Sequence, residues 1–140
     1  MQLTPHFTLE ELSNTNKADL KALNIKEAQK HMGRMYQLAG FAERIREIVG
    51  KPIIVTSAFR CVKLNNAVGG SLTSQHLKAE AIDIKVSGKT SEELLQILVA
   101  SDLKYDQIIW ETSGRTSWVH VSIGSKKEKL RYLNGKYTKL

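Results

Sequence analysis

The sequence predicts an α+β fold in which N-terminal helices pack on a small, mostly antiparallel sheet. Apolar residues recur at helical spacing over residues 25–49, which is typical of a helix with one buried face. Later segments alternate apolar and polar residues with a period of two, as strands with one buried face do. Helices gathered before a mostly local set of strands indicate the α+β class.

The first half of the chain is predicted to be mainly helical. Short helical pieces are expected over residues 8–24, because Thr8 to Glu11 fits a helix-capping pattern. One helix is then expected from Ile25 to Val49, since Gly50 follows its last periodic residue. The β-branched run from Ile53 to Thr56 predicts a buried strand directly after this helix.

The second half of the chain is predicted to hold most of the sheet. Strands are expected over residues 81–86, 107–111 and 117–123 because their apolar residues alternate. Thr90 has a glutamate three residues on, which predicts a capped helix after the first of these strands. The Asn134-Gly135 pair predicts a tight hairpin turn near the C-terminus.

Length and composition limit the class of protein. The 140 residues suit one domain, over residues 1–140, and we expect a monomer. No apolar run approaches the roughly 20 residues that span a bilayer, so no membrane insertion is expected. The N-terminus lacks a secretory pattern, which predicts synthesis in the cytoplasm without a signal peptide. The single cysteine, Cys61, excludes an internal disulfide.

The chain is strongly basic, with a formal net charge of +7 and a sequence pI near 9.6. Such a surface favours polyanions, including nucleic acid and the carboxylate and phosphate groups of cell-wall polymers. The densest basic run is Lys126 to Lys129, and no nucleic-acid-binding motif accompanies it. A basic nucleic-acid-binding domain is therefore a minor hypothesis, and no nucleic-acid partner is expected.

Two segments bring together the residue types of a metal site. His76 and Asp83 lie in one segment, and Asp83 falls on the face of its strand opposite an aliphatic row. His120 holds the equivalent position in the later strand. Two imidazoles and one carboxylate, with a fourth position left for water, are the composition of a catalytic zinc site.

Hydrolysis at such a site also needs a general base near the attacking water. Glu111 is the candidate, because it ends an apolar strand just before the connection that returns to His120. Arg60 follows a predicted buried strand, so its guanidinium could hold a peptide carboxylate or stabilise the oxyanion of a tetrahedral intermediate.

Each of these residues has a plainer interpretation. A histidine in a strand is more often a half-buried side chain than a ligand, and Asp83 by itself could cap a turn. Glu111 and Arg60 could form an ordinary surface pair, and Trp118 could pack while it shapes a pocket. Cys61 follows Arg60, which favours a thiolate, but a cysteine nucleophile leaves the two histidines and Asp83 unexplained.

At these residues the chain resembles a family of zinc peptidases. The family includes D-alanyl-D-alanine carboxypeptidases and the L-alanyl-D-glutamate endopeptidases of phage endolysins, and the N-terminal domain of Sonic hedgehog shares its fold. The similarity covers nearly the whole chain. It runs through His6 to Leu12, Pro52 to Arg60, Leu64 to Ser71 and the two segments with the candidate ligands.

The resemblance implies a role for each site residue. In the family, the His and Asp of an S-x-H-x(6)-D stretch and a late His bind zinc, and these correspond to His76, Asp83 and His120. The arginine after the family's "SGYR" strand corresponds to Arg60 and is implicated in substrate or transition-state binding. Ser74, which opens the S-x-H stretch, and Trp118, which opens the W-x-H strand, are expected to contact substrate.

Three positions depart from the family pattern. Alanine replaces glycine at Ala79 and Ala58, and the substitution at Ala79 is expected to require a slightly different turn. Many members carry the catalytic carboxylate three residues before the last histidine, where this chain has Ser117. The hedgehog-like arrangement has a glutamate at an earlier strand end instead, which favours Glu111 as the base.

The leading hypothesis is a zinc-dependent peptidase that hydrolyses a bond in the stem peptide of bacterial peptidoglycan. With no signal sequence, such an enzyme would reach the cell wall after phage-type release. The alternative is a catalytically inactive, zinc-stabilised module that binds the cell wall or a protein.

Overall fold

The computed structural model describes all residues, 1–140. It confirms an α+β fold in which the helices come mostly first along the chain. The helices are α1 Leu9–Leu12, α2 Lys21–Ala28, α3 Met32–Val49, α4 Val62–Ala67 and α5 Ser91–Ala100. The strands are β1 Gln2–Thr4, β2 Phe7–Thr8, β3 Ile54–Ser57, β4 Ala81–Lys85, β5 Gln107–Ser113, β6 Thr116–Ser122, β7 Glu128–Leu133 and β8 Lys136–Lys139. None of the helices combines the length and the apolar character that crossing a membrane requires.

The main sheet has six strands in the order β3-β4-β6-β5-β7-β8. Four of its five strand pairs are antiparallel, and the β5–β7 pair is parallel. The hairpin from β7 to β8 turns at Asn134 and Gly135, whose φ angles of 47° and 91° are those of a tight left-handed turn. The predicted hairpin and the mostly antiparallel sheet are therefore confirmed.

One face of the sheet packs against α3 and α5. The hydrophobic core of 27 buried residues joins Ile82, Ile84, Val119 and Val121 of the sheet to Leu98 of α5. These sheet residues alternate along β4 and β6 with polar residues that face the other way. The helices therefore cover one face, and the opposite face of the same strands is left for polar chemistry.

The expected single helix from Ile25 to Val49 is wrong. Helix α2 ends at Ala28, a 3-10 turn follows, and His31, with φ −130° and ψ 42°, leaves helical geometry before α3 begins. Helix α2 is held by the buried amide of Asn24, which donates to the carbonyls of Ser13 and Phe59. These tertiary bonds set the direction of α2 independently of the apolar periodicity that suggested one helix.

The strand after α3 is also less buried than expected. It begins at Ile54, whose exposure is 51%, whereas the preceding Ile53 enters the core. The physical reason is position, because β3 is an edge strand that pairs only with β4. The predicted end of the helix is confirmed, since Gly50 adopts a left-handed conformation with φ 75°.

The capping box of α5 yields a test of the predicted helix start. The Thr90 hydroxyl accepts a hydrogen bond from the backbone of Glu93, and the Glu93 carboxylate accepts one from the backbone of Thr90. We expect Thr90→Ala to lower the free energy of unfolding by about 1 kcal/mol, because one donor of the first turn loses its partner. Urea denaturation measures this change. Ser91→Ala, which removes the neighbouring hydroxyl and leaves both bonds intact, is the control, and an equal effect of the two variants would contradict the capping role.

Candidate functional site

The site is built on the sheet face that the helices leave free. Asp83 on β4 and His120 on β6 are directly opposite each other in the antiparallel register. His76 comes from the 3-10 turn Gln75–Lys78, which leads into β4. One ligand atom from each of the three residues lies within 4.8 Å of the other two, and all three side chains are buried. The structure thus brings together the three predicted metal ligands.

The hydrogen bonds of His76 determine which of its nitrogens faces the cluster. Its Nδ1 lies 2.6 Å from the carbonyl oxygen of Ala58, an acceptor, so Nδ1 carries the proton. Its Nε2 lies 3.3 Å from Oδ1 of Asp83. The lone pair of Nε2 is therefore directed at the carboxylate.

A series of hydrogen bonds likewise determines which nitrogen of His120 faces the cluster. The amide nitrogen of Gln75 donates to the carboxylate of Asp106 at 2.9 Å, which orients the amide so that its oxygen lies 3.1 Å from Nε2 of His120. Because that amide oxygen can only accept, Nε2 of His120 carries the proton. Its Nδ1, 3.1 Å from Oδ1 of Asp83, is left to act as a ligand.

This donor set fits a bound cation. With both imidazoles neutral, two nitrogen lone pairs and a carboxylate oxygen converge on one point, and a positive ion removes their mutual repulsion. Burial raises the pKa of Asp83, but when no metal ion is bound, attraction to a proton-bearing imidazole and the hydrogen bonds of His76 and His120 outweigh burial and hold the pKa of Asp83 well below its usual value. Two histidines and a carboxylate, each oriented by an outer partner, are typical of catalytic zinc sites.

Glu111 lies beside the cluster without belonging to it. Its carboxylate is 4.0 Å from Nδ1 of His120 and accepts a hydrogen bond of 3.0 Å from the indole of Trp118, its register partner on the adjacent strand. Burial, and then the negative charge of Asp83, raises the pKa of Glu111. A carboxylate with raised proton affinity next to a metal site is suited to take a proton from water.

Arg60 lies in the same cleft. Its guanidinium donates to the hydroxyl of Ser74 at 3.2 Å, and its backbone amide donates to the carbonyl of His76 at 3.1 Å. The buried Nε of Arg60 has no hydrogen-bond partner. Burial lowers the pKa of Arg60, and the carboxylates of Asp83 and Glu111 oppose that effect. Arginine stays charged at neutral pH, so unpaired donors remain for an anionic or carbonyl group.

Both side chains expected to contact substrate line the cleft, but each also has a structural role. Ser74 caps the 3-10 turn by accepting a hydrogen bond from the backbone amide of His76. Trp118 is half-buried and holds Glu111. Their contact with substrate stays a prediction.

The interpretation of Glu111 and Arg60 as an ordinary surface pair is wrong, because both line the cleft and the Glu111 side chain is only 15% exposed. Ser117, at the family's usual position for the base, accepts a hydrogen bond from the indole of Trp110 and lies outside the cleft. Cys61 is buried and also lies outside it. Ala79 takes a left-handed conformation with φ 55° and ψ 41°, which favours glycine, and the expected difference from the family's turn stays a prediction.

The cleft over the site has a volume of about 440 Å³. The cleft residues that the sequence analysis missed include Gln75, Tyr132 and Tyr137. Alternation along β7 and β8 could have indicated which residues share a face with each tyrosine. The position of that face relative to the cleft, however, depends on which strands neighbour β7 and β8, and the sequence does not show this. A larger groove, of about 940 Å³, lies between α5 and the other face of the sheet and contains none of the predicted site residues.

The hydrogen bond from His120 to Gln75 can be tested through metal affinity. We expect Gln75→Ala to weaken zinc binding about 10- to 100-fold, because Nε2 of His120 loses the partner that fixes its proton and ring orientation. Competition with a chromophoric chelator measures the affinity. Gln107→Ala is a matched control, since Gln107 also lines the cleft but binds Glu128 and no ligand. Equal zinc affinities of the two variants would reject the role of Gln75.

Comparison with known proteins agrees with this geometry. A family model described as Peptidase M15 matches residues 5–122, which include all three candidate metal ligands, Glu111 and Arg60. No curated protein matches the chain. The hairpin from β7 to β8 lies beyond the matched residues. The match confirms the resemblance to zinc peptidases at the level of the family and leaves the subtype open. On this match over most of its length, and on a buried His-Asp-His cluster of the expected kind, the chain belongs to the Peptidase M15 family of metallopeptidases.

Proposed function

We propose that this chain is a zinc-dependent peptidase that hydrolyses a peptide bond in the stem peptide of bacterial peptidoglycan. One observation carries the proposal: three candidate ligand atoms, from His76, Asp83 and His120, converge beside the carboxylate of Glu111 in an open cleft. The arrangement supplies the two requirements of metal-assisted hydrolysis, which are a metal with an open coordination position and a nearby base.

The residues divide the chemistry between them. Zinc, when held by His76, Asp83 and His120, supplies Lewis-acid activation of water and of the scissile carbonyl. Glu111 takes the proton of the attacking water and later gives it to the leaving amine. The hydrogen bond from Trp118 holds the carboxylate of Glu111 in position for both transfers.

Arg60 is proposed to bind the developing oxyanion or a carboxylate of the substrate. Its guanidinium already donates to Ser74, which limits its freedom, and the side chain lines the cleft where the substrate would bind. A preoriented donor of this kind stabilises negative charge more strongly in a water-poor cleft than in open solvent.

The remaining parts of the proposal concern where the enzyme acts. The net charge of +7 favours retention on an anionic cell wall. We propose a monomeric enzyme of the phage or prophage type that is made in the cytoplasm, reaches the wall after phage-type release, and has neither a nucleic-acid partner nor a membrane-inserted part. Mass spectrometry of fragments from defined muropeptides distinguishes a D-alanyl-D-alanine carboxypeptidase from an L-alanyl-D-glutamate endopeptidase.

The role of Glu111 is tested by Glu111→Gln. We expect zinc content to stay at the wild-type level, since Glu111 is not a ligand, while kcat on purified peptidoglycan falls about 10²- to 10⁴-fold with the loss of the base. Amine release and metal analysis of the same samples measure the two quantities. Glu92→Gln, at an exposed position of α5, is the control for the change of charge.

The outcomes of that experiment separate the candidate functions. Full activity of Glu111→Gln would reject Glu111 as the base. A wild-type protein that holds zinc stoichiometrically but releases no amine from any muropeptide would favour the alternative, an inactive zinc-stabilised module that binds the cell wall or a protein.

Arg60→Ala tests the second catalytic assignment. We expect kcat/KM to fall about 10²- to 10³-fold, because a preoriented donor to the reacting group is lost. Arg115→Ala, at an exposed turn position, is the control for loss of positive charge. The same measurement on peptides with free and with amidated C-termini identifies the group that Arg60 binds. If Arg60 binds the C-terminal carboxylate, the fall in kcat/KM is smaller for the amidated peptide; if it binds the oxyanion, the fall is the same for both peptides. A loss no larger than that of Arg115→Ala would contradict the role.

A further inference from the structure

A row of four side chains crosses the sheet next to the metal site. The strand registers set Trp118 of β6 opposite Glu111 of β5, Glu111 beside Tyr132 of β7, and Tyr132 opposite Tyr137 of β8. Trp118 and His120 are two residues apart on β6, so the whole row shares the sheet face of the metal cluster. Glu111 and the two tyrosines therefore lie side by side on one surface of the sheet.

The two tyrosines pack against each other and line the cleft. Their ring centroids are 4.7 Å apart and the rings are tilted by 58°. Tyr137 nevertheless keeps 55% of its surface exposed, which leaves part of an aromatic ring without a partner in the protein. Tyrosines placed in this way offer rings to aliphatic groups and peptide planes, and hydroxyls to carbonyl oxygens.

The hairpin that carries the tyrosines is held firmly from its other face. Arg131 of β7 donates to the backbone carbonyl of Trp110 at 2.8 Å and to the hydroxyl of Thr112 at 2.9 Å. Its guanidinium also lies 4.0 Å from the centre of the Trp110 ring, within the range of a cation–π interaction. The tyrosine pair is therefore a preformed wall of the cleft.

We propose that Tyr132 and Tyr137 form a substrate-positioning subsite that holds the longer arm of the stem peptide, on the side of the scissile bond away from Arg60. The inference rests on the proposed peptidase function and deepens it. The hairpin that carries the two tyrosines lies outside residues 5–122, the region matched by the family model, so the match itself says nothing about this wall.

The positions along the sheet set the length of peptide required. Arg60 follows β3 at one edge, the ligands lie on β4 and β6, and β7 and β8 form the other edge. At a strand spacing of about 4.8 Å, Tyr132 is about 10 Å and Tyr137 about 15 Å from the ligand strand β6. An extended peptide advances about 3.4 Å per residue, so these rings meet residues roughly three and four positions from the cleaved bond. A stem pentapeptide cut near either end has one arm of that length.

The test measures how substrate binding depends on peptide length. In a zinc-loaded Glu111→Gln background, which holds peptide without cleaving it, calorimetry gives Kd for a stem pentapeptide and for the dipeptide that spans its cleaved bond. We expect Tyr137→Ala and Tyr132→Ala each to weaken pentapeptide binding about 5- to 10-fold, as for a contact worth about 1 to 1.4 kcal/mol. Dipeptide binding should be unchanged, and Tyr137→Phe should separate the contribution of the hydroxyl from that of the ring.

Steady-state kinetics of the same tyrosine variants, in protein that retains Glu111, supply a second readout. Removal of a contact that is made equally in the ground state and in the transition state raises KM and leaves kcat unchanged, and we expect this split for the alanine variants with the pentapeptide. Tyr36→Ala, at an exposed position of α3 away from the cleft, is the control. The Phe variants retain the ring pair, so they report on the subsite even if an alanine variant misfolds.

The inference and the proposed function fail in different ways. The subsite would be overturned, and the peptidase function left intact, if the wild type hydrolyses its substrate but the tyrosine variants bind pentapeptide and dipeptide with equal losses of affinity. The same holds if the variants lose affinity for neither peptide. Absence of hydrolysis by the zinc-loaded wild type would overturn the proposed function, whereas length-dependent binding lost on Tyr137→Ala would still support the wall.

Discussion

The site depends on one register: Asp83 of β4 lies opposite His120 of β6. Because side chains alternate along a strand, a slip of one residue would turn Asp83 toward the helices and set an aliphatic residue opposite His120. The buried rows of Ile82, Ile84, Val119 and Val121 oppose such a slip, since it would expose them. The hydrophobic core and the metal cluster are thus stabilised by the same pairing, each on its own face.

A layer of hydrogen bonds behind the ligands determines what the cluster can bind. The carbonyl of Ala58 and the amide of Gln75 hold the outer nitrogens of His76 and His120 in their protonated form. The inner nitrogens are then free to coordinate, so little reorganisation accompanies binding of an ion. Since Ala58 belongs to the segment that follows β3 and leads to Arg60, that segment contributes both to the metal cluster and to the position of the guanidinium.

The sheet also orders the rest of the chemistry by strand. From one edge to the other it presents Arg60 after β3, then the candidate metal ligands, the proposed base Glu111 and the tyrosine pair, all lining or adjoining the cleft. Substitutions on the helix-covered face are expected to act through stability, and substitutions on the cleft face through binding and catalysis. The same strands serve both purposes because alternation separates their two sets of side chains.

Much of this molecule could be predicted from local sequence. The capping box at Thr90, the left-handed stop at Gly50 and the turn at Asn134 depend on residues close together in the chain, and the structure confirms them. Strand alternation also led us to expect that Asp83 and His120 would point the same way, and the structure brings them together with His76.

Other features depended on contacts between distant parts of the chain. The helix breaks before α3, and the buried hydrogen bonds of Asn24 set the direction of the segment before the break. Ile54 is exposed because β3 lies at the edge of the sheet. The Gln75–Asp106 bond to His120, and the parallel pairing that carries Tyr132 beside Glu111, join segments whose neighbours no local pattern identifies. Sequence alone determined which residues could do the chemistry, because residue type and periodicity are local properties. Only the tertiary structure decided which partners orient them, because strand order and buried hydrogen bonds arise when the chain packs.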